Sequence, residues 1–306
     1  MPIIFTEETT MSGLVINHNI MAMNASRNLS QSYSALGTST RRLSSGLRVG
    51  TAADDAAGLA TRELMRSDIA SLNQGVRNAN DAVSMIQTAD GALGVVDEKL
   101  IRMKELATQA STGTYTSDQR LIIDSEYQAM ASEITRIASA TDFNGIYLLN
   151  GNLSGATHSG TGLNATGKLK VHFGTGNLSA EDYYYVQINN STASALGVGL
   201  GAAGSAGRSI STQDLAQKAL DQLNKAIVSK DKIRANLGAL QNRLTNTVSN
   251  LQIQAENLQA AESQISDVDV AQEMTSFVRS QILTQSAVAM LSQANSLPKM
   301  AMQLIG

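Results

Sequence analysis

The sequence predicts a mainly α protein: an antiparallel helical coiled-coil rod built from both chain ends, with a small β-hairpin-rich central region. Three observations carry this. The 306 residues hold two prolines, Pro2 and Pro298, so the strongest helix breaker is absent from nearly the whole length. Apolar residues recur in alternating four- and three-residue steps along two long segments from opposite halves of the chain. Half of the 24 glycines crowd into residues 151–207, where the helical period stops. The hydrophobes also suit interdigitating helices, with no Trp, four Phe and seven Tyr beside abundant Met, Ala, Leu and Ile.

The first stepped seam runs through Leu72, Val76, Ala79, Val83, Ile86, Leu93, Leu100 and Ala107, interrupted by Asp90 and Asp97. The second runs through Ile233, Leu237, Leu240, Leu244, Leu251, Leu258, Ala261 and Ile265, interrupted by Thr247 and Gln254. Each extends roughly 50 Å at helical rise, so the two match in length and pair side by side. A third helix is expected over 116–139, opened by a capping box of Thr116 and Gln119. Asn144-Gly145 then predicts a tight turn, with a strand over 146–149. Within the glycine-rich stretch, KLKVHF and DYYYVQI alternate as strands. The antiparallel pairing is expected to carry this excursion at one end of the molecule, far from both termini.

The chain ends keep a helical period with almost no charge. Arg27 is the one formal charge between Met11 and Thr40, and Lys299 the one from Ser280 onward. A solvated helix ordinarily carries Lys and Glu outside, so uncharged ends imply faces buried by other copies. Leu29, Leu36 and Leu43 at one end, and Phe277, Val288, Leu291 and Leu297 at the other, are the expected assembly interface. Between the first terminal helix and the rod lies a connector. Gly46 closes the helix, with Arg41 and Arg42 in its last turn. Thr51 is expected to cap the next helix, with Asp54 and Asp55 in its first turn.

The composition narrows the function classes. Net charge of −3 and the lack of a basic stripe argue against nucleic acid or an anionic membrane as partner. Zero cysteines exclude disulfides and thiolate chemistry. MPIIFTEETT lacks the basic, apolar and small-residue parts of a signal peptide, and the charge-free stretch 280–298 is too polar to span a bilayer well. No metalloprotease, phosphate-loop or serine-hydrolase motif occurs, so no cofactor and no catalysis are expected. His18, His158 and His172 read as structural, and Asp54 and Asp55 as helix caps rather than a cation site. Asn152, Asn164 and Asn177 open formal N-glycosylation triplets.

RLSSGLRVGTAADDAAGLA, preceded by NHNIMAMNASRNLSQSYSALG and followed by RNANDAVSMIQTADGAL, resembles the amino-terminal signature of bacterial flagellins. NLQAAESQISDVDVAQEM and ILTQSAVAMLSQANSLPKMAMQLIG resemble the carboxyl-terminal one. The resemblance implies an extracellular subunit of the flagellar filament that polymerises with itself into a helical assembly for swimming. It implies a terminal helical core over 11–50 and 267–306, a rod over 51–150 and 208–266, and a short variable insert over 151–207. The familiar start aligns with Met11, which leaves 1–10 as an extension. Implied partners are an export chaperone on the segment from about Val270, filament cap and hook-junction proteins, and a secretion apparatus that needs no cleaved signal. IRMKELATQA resembles the segment that Toll-like receptor 5 recognises in many flagellins, with Arg102, Leu106 and Glu126 at the matching receptor or protofilament contacts. If the insert is modified, the resemblance points to O-linked sugar on Ser or Thr. The alternative within the same architecture is a hook–filament junction protein, which assembles as a short ring; an enzyme carried in the insert is the rival from another class.

Overall fold

The computed structural model describes residues 18–159, 166–179, 181–199 and 207–305, so the extension 1–10 and Asn164 lie outside the described residues. The element order is α1 (Ile20–Ser45), α2 (Ala56–Ser111), α3 (Ser117–Ala140), β1 (Asp142–Phe143), β2 (Ile146–Tyr147), β3 (Leu169–His172), β4 (Tyr183–Val186), α4 (Gln213–Ser266) and α5 (Val270–Ile305). Five helices and two small antiparallel hairpins, β1–β2 and β3–β4, make the protein mainly α. The chain divides into two compact units, residues 67–258 and the two ends that flank them.

Within the 67–258 unit, α2 and α4 bury the seams that their periodicity requires. Leu72, Ala79, Ile86, Leu93, Ile233, Leu237, Leu244 and Leu251 are all buried in one core cluster. The two aspartates that break the α2 seam are answered by α4. Arg234 donates Nε and Nη2 to the two carboxylate oxygens of Asp90 at 2.7 and 3.1 Å. Lys230, 2% exposed, places its ammonium 2.5 Å from Asp97 and 2.7 Å from Asp231. A charged group at a seam position is tolerated when a partner meets it, and such pairs fix the register of two helices.

A second cluster fills the space between α2, α3 and the first half of α4, with Leu100, Met103, Leu106, Tyr127, Ile134 and Leu223 inside it. Thr116 caps α3 through the full capping box with Gln119. The buried Tyr127 hydroxyl donates to the Gly207 carbonyl at 2.7 Å, and burial pushes its pKa up. At the end of α3, Asn144 and Gly145 take φ of 50° and 78°, the left-handed pair that a two-residue hairpin turn demands.

The central region departs from its expected place. Rather than crowning one end, β3 and β4 lie along the rod, with Val171, Phe173, Val186 and Ile188 in the same cluster as the α2–α4 seam. Asn78 Nδ2 donates to the His172 carbonyl at 2.9 Å, and Gly75 lies so close to the Phe173 backbone that a Cβ there collides with its carbonyl. The reason is α3, whose 24 residues carry the chain about 36 Å before the strands begin. Sequence periodicity supplied that helix but not the direction of its return.

Candidate assembly site at the paired chain ends

The candidate site lies in the unit formed by the chain ends. Asn19 caps α1, its Oδ1 accepting from Ala22 N at 3.0 Å, while its Nδ2 donates to the Ala294 carbonyl at 2.8 Å. At the other end of α1, Arg42 approaches Glu273 at 3.7 Å, and Val268 N donates to the Gly46 carbonyl at 3.0 Å. These three links run α1 antiparallel to α5, with Cα atoms of the pair within 8 Å.

The residues that face each other across the pair mix small and large side chains. Among the sheltered positions are Ala22, Ala25, Leu29, Ser32, Leu36, Ser39 and Leu43 on α1, and Phe277, Ser280, Thr284, Ala287, Leu291 and Ala294 on α5. Both series keep alternating three- and four-residue steps, so the pair is a coiled-coil seam built largely from Ala, Ser and Thr. Other large apolar side chains face away from it. Tyr33 on α1 is 68% exposed, and Met274, Val278, Ile282, Val288 and Met290 on α5 are 44–62% exposed. Glu273, Arg279 and Lys299 are the charged residues of α5, so this outward surface is apolar along most of its length.

The residues expected at the assembly interface fall into two environments. Leu29, Leu36, Leu43, Phe277 and Leu291 are half-buried between α1 and α5 of one chain, while Val288 and Leu297 stay exposed. Sequence reasoning counted large apolar residues and passed over the small ones; the signal it missed is the stepped series Ala22, Ala25, Ser32 and Ser39. The exposed apolar residues of the pair include Ile20, Met21, Met23 and Tyr33 on α1, with Ile282 and Met290 on α5.

The connector behaves as a clasp. Gly46 has φ 73° and donates its N–H to the Arg42 carbonyl at 2.8 Å, closing α1 in the left-handed cap that glycine favours. Arg48 then satisfies three carbonyls at the end of α4: its N–H donates to Ser266 at 2.7 Å, and its Nη2 to Gln264 and Ile265 at 3.0 and 2.8 Å. Arg62, 7% exposed, donates to the Val49 carbonyl at 2.6 Å. Neither Arg48 nor Arg62 stood out in the sequence, because a carbonyl cap from a distant arginine leaves no local pattern.

The expected cap shifts along the chain. Thr51 does not open α2; its N–H and hydroxyl both donate to Asp54 Oδ2, and Arg41 donates to Asp54 Oδ1 at 2.9 Å. The Thr51 hydroxyl, aided by the Thr51 and Gly50 amides and by Arg41, holds the Asp54 carboxyl below the usual carboxylate range. Asp55 is the cap instead, accepting from Ala57 N and Gly58 N at 3.1 and 3.0 Å. Asp54 is drawn into the turn by two sets of donors, so the helix starts one residue after its neighbour.

The expected receptor or protofilament contacts lie on the rod. Arg102 joins α2 to α3 by donating Nε and Nη2 to Glu126 Oε1 at 3.0 and 2.8 Å, and it also reaches Glu105. The Glu126 and Glu105 carboxylates raise the Arg102 pKa further. Leu106 does not share that surface: it is 1% exposed and packed in the α2–α3 core. His158 Nδ1 lies 2.6 Å from the Lys168 carbonyl and His172 stacks on Tyr183, while His18 is exposed. Among the described residues no group of His, Asp and Glu is arranged to hold a metal, and no helix is long and apolar enough to cross a membrane.

Comparisons with known proteins address the same two chain ends. Residues 16–154 match the bacterial flagellin N-terminal helical region and residues 220–305 the bacterial flagellin C-terminal helical region. A flagellin of Halalkalibacterium halodurans is 40% identical over 292 residues, which is 95% of this chain and 100% of that protein. The flagellar filament 33 kDa core protein of Treponema phagedenis is equally similar, at 40% over 95% of this chain and 100% of that protein. A flagellin of Bacillus subtilis is 40% identical over 95% of this chain and 99% of its own length. Matched through both helical ends and along nearly the full length of these relatives, the chain belongs to the bacterial flagellin family.

Proposed function

We propose that the chain is a structural subunit of the bacterial flagellar filament, polymerising with copies of itself through the outward faces of α1 and α5. The observation that carries this is the outward surface of the terminal pair, where Tyr33, Ile282, Val288 and Met290 lie more than half exposed with few charges along the same helices. An exposed apolar surface with so few charges gains stability only when a second chain covers it. Repeated head-to-tail contacts that do not close into a ring build a helical polymer. The relatives' names speak for the filament, and no observation favours a ring-forming junction protein.

In this reading, residues 11–50 and 267–306 form the inner core of the filament, 51–150 and 208–266 the rod, and 151–207 the variable insert. The subunit is exported to the flagellum, and it acts through shape rather than catalysis. Before assembly, a chaperone covers the segment from Val270, whose apolar residues lie on all sides of its helix. Hook-junction and cap proteins meet the two ends of the polymer. Arg102 and Glu126 form the exposed part of a protofilament contact that Toll-like receptor 5 also reads in the monomer, with Leu106 as its buried support.

Seeded polymerisation of purified full-length protein tests the central claim. The double variant Ile282→Asp/Val288→Asp places two carboxylates on the exposed face while leaving the seam positions untouched. It is expected to keep the helical circular dichroism of the unassembled protein and to form no long filaments by electron microscopy. Normal filaments from this variant would overturn the assignment of the face, and short rings from the unaltered protein would move the role to the junction.

A further inference from the structure

We propose that the groove between β4 and α4 binds an acidic saccharide residue, a pyranose bearing a carboxylate, at the outer surface of the rod. This function is separate from polymerisation and does not depend on it. The groove encloses about 390 Å³ and is lined by Tyr185, Gln187 and Asn189 from one side and Asn236, Leu240 and Arg243 from the other. That volume falls among small-ligand sites and suits one or two sugar rings.

Strand alternation builds the first wall. Val186 and Ile188 point into the core and are fully buried, so Tyr185, Gln187 and Asn189 face outward together. Helical spacing builds the second, since Asn236, Leu240 and Arg243 follow at four and three residues along α4.

The chemistry of the lining is selective. Tyr185 is 40% exposed, yet its ring is braced edge-on by Tyr183 at 5.4 Å and flanked by His158 at 5.8 Å. A braced, exposed aromatic face suits the C–H face of a pyranose. Gln187 donates its Nε2 to the Ser154 carbonyl at 2.9 Å, which fixes its amide and leaves Oε1 as an acceptor. Asn189 and Asn236 spend no side-chain hydrogen bond on another described residue, so both amides are free to pair with hydroxyls.

Arg243 supplies the charge selectivity. Its guanidinium lies 3.6 Å over the Tyr184 ring, and Tyr184 is itself held edge-on by Phe173 at 4.7 Å. The stacked cation keeps its N–H donors at the groove wall, no carboxylate among the lining residues neutralises it, and it makes no ion pair with another described residue. A planar fork of donors fixed in this way matches a carboxylate better than a hydroxyl. Amides for hydroxyls, an aromatic face for the ring and one unpaired arginine together specify a uronic-acid type of ligand.

The test is ligand-observed saturation-transfer NMR on full-length protein, with methyl β-D-glucuronide, methyl β-D-glucoside and acetate as probes. The glucuronide is expected to bind at least about tenfold more tightly than the glucoside, a difference one charge-assisted pair supplies. Arg243→Gln should reduce the glucuronide to the level of the glucoside while leaving the glucoside unchanged. Asn236→Ala, a change that raises helix propensity at an exposed position and so preserves α4, should weaken both sugars. Absence of transfer to the unaltered protein would overturn the proposal. So would acetate competing as well as the glucuronide, which would reveal a bare anion contact, or binding that is indifferent to both substitutions.

Discussion

The rod and the terminal pair use the same periodicity with opposite contents. In the rod, α2 and α4 bury Leu and Ile in their shared seam, and Ile86 and Leu93 are 0% exposed. In the terminal pair, α1 and α5 half-bury Leu29, Leu36, Phe277 and Leu291 among Ala, Ser and Thr, and leave Ile282, Val288 and Met290 more than half exposed. Stepped spacing therefore decides that two helices pair, whereas side-chain size at the spaced positions decides whether the pair is complete by itself. The rod has a core that one chain fills. The terminal pair has a mixed seam and an apolar exterior.

The comparison breaks most readily where the rod is deepest. Leu93→Ala is expected to lower the urea unfolding free energy of unassembled protein by about 3 kcal/mol, the usual cost of a cavity in a packed core. Leu36→Ala, its counterpart in the half-buried terminal seam, should change that free energy by less than about 0.5 kcal/mol, because the terminal pair opens before the rod does. Equal effects at the two positions would mean that one cooperative core spans both regions, and the distinction drawn above would fail.

A smaller effect tests the ionic interruptions of the rod. Asp97→Ala leaves the 2%-exposed Lys230 ammonium with Asp231 as its remaining partner. Orphaning a buried charge costs about 3 kcal/mol when nothing remains, and the surviving partner reduces that to about 2 kcal/mol. Chemical denaturation of Asp97→Ala beside the double variant Asp97→Ala/Lys230→Met checks it, since removing the stranded charge should restore most of the loss. If the double variant is no more stable than the single, Lys230 is not strained by losing Asp97.

Much of this was legible in the sequence, and what was not has identifiable causes. The seams of α2 and α4, the Thr116 cap and the Asn144-Gly145 turn are local signals, and they led directly to elements. Asp90 and Asp97 were visible only as violations, because their partners Arg234 and Lys230 are remote in sequence. The position of the β3–β4 hairpin depended on Gly75 and Asn78 receiving it, which no strand pattern encodes. Leu29, Leu36, Phe277 and Leu291 were correctly recognised as apolar and helical, but which side of the helix met its own chain was settled by the alanines and serines between them. Size at the seam, rather than hydrophobicity, was the missing variable.

The smallest effect concerns acid, and it separates the two regions again. Hydrogen bonding by Arg234, reinforced by its charge and that of Lys230, lowers the Asp90 pKa. A carboxyl whose folded pKa lies below its unfolded value contributes stability that is complete above about pH 4 and is lost as pH falls through the folded value. Both side chains of the Asp90–Arg234 pair are about 40% exposed, at 40% and 38%, so solvent screens the contribution and keeps it small. Asp90→Asn should therefore lower rod stability slightly at neutral pH and flatten its decline between about pH 4 and pH 2, as read from urea midpoints along a pH series. The seam of the terminal pair carries no such carboxylate between Phe277 and Ala294, so hydrogen exchange in α5 over that stretch should be unchanged by the same substitution. An acid limb as steep in Asp90→Asn as in the unaltered protein would assign the acid sensitivity to other carboxylates.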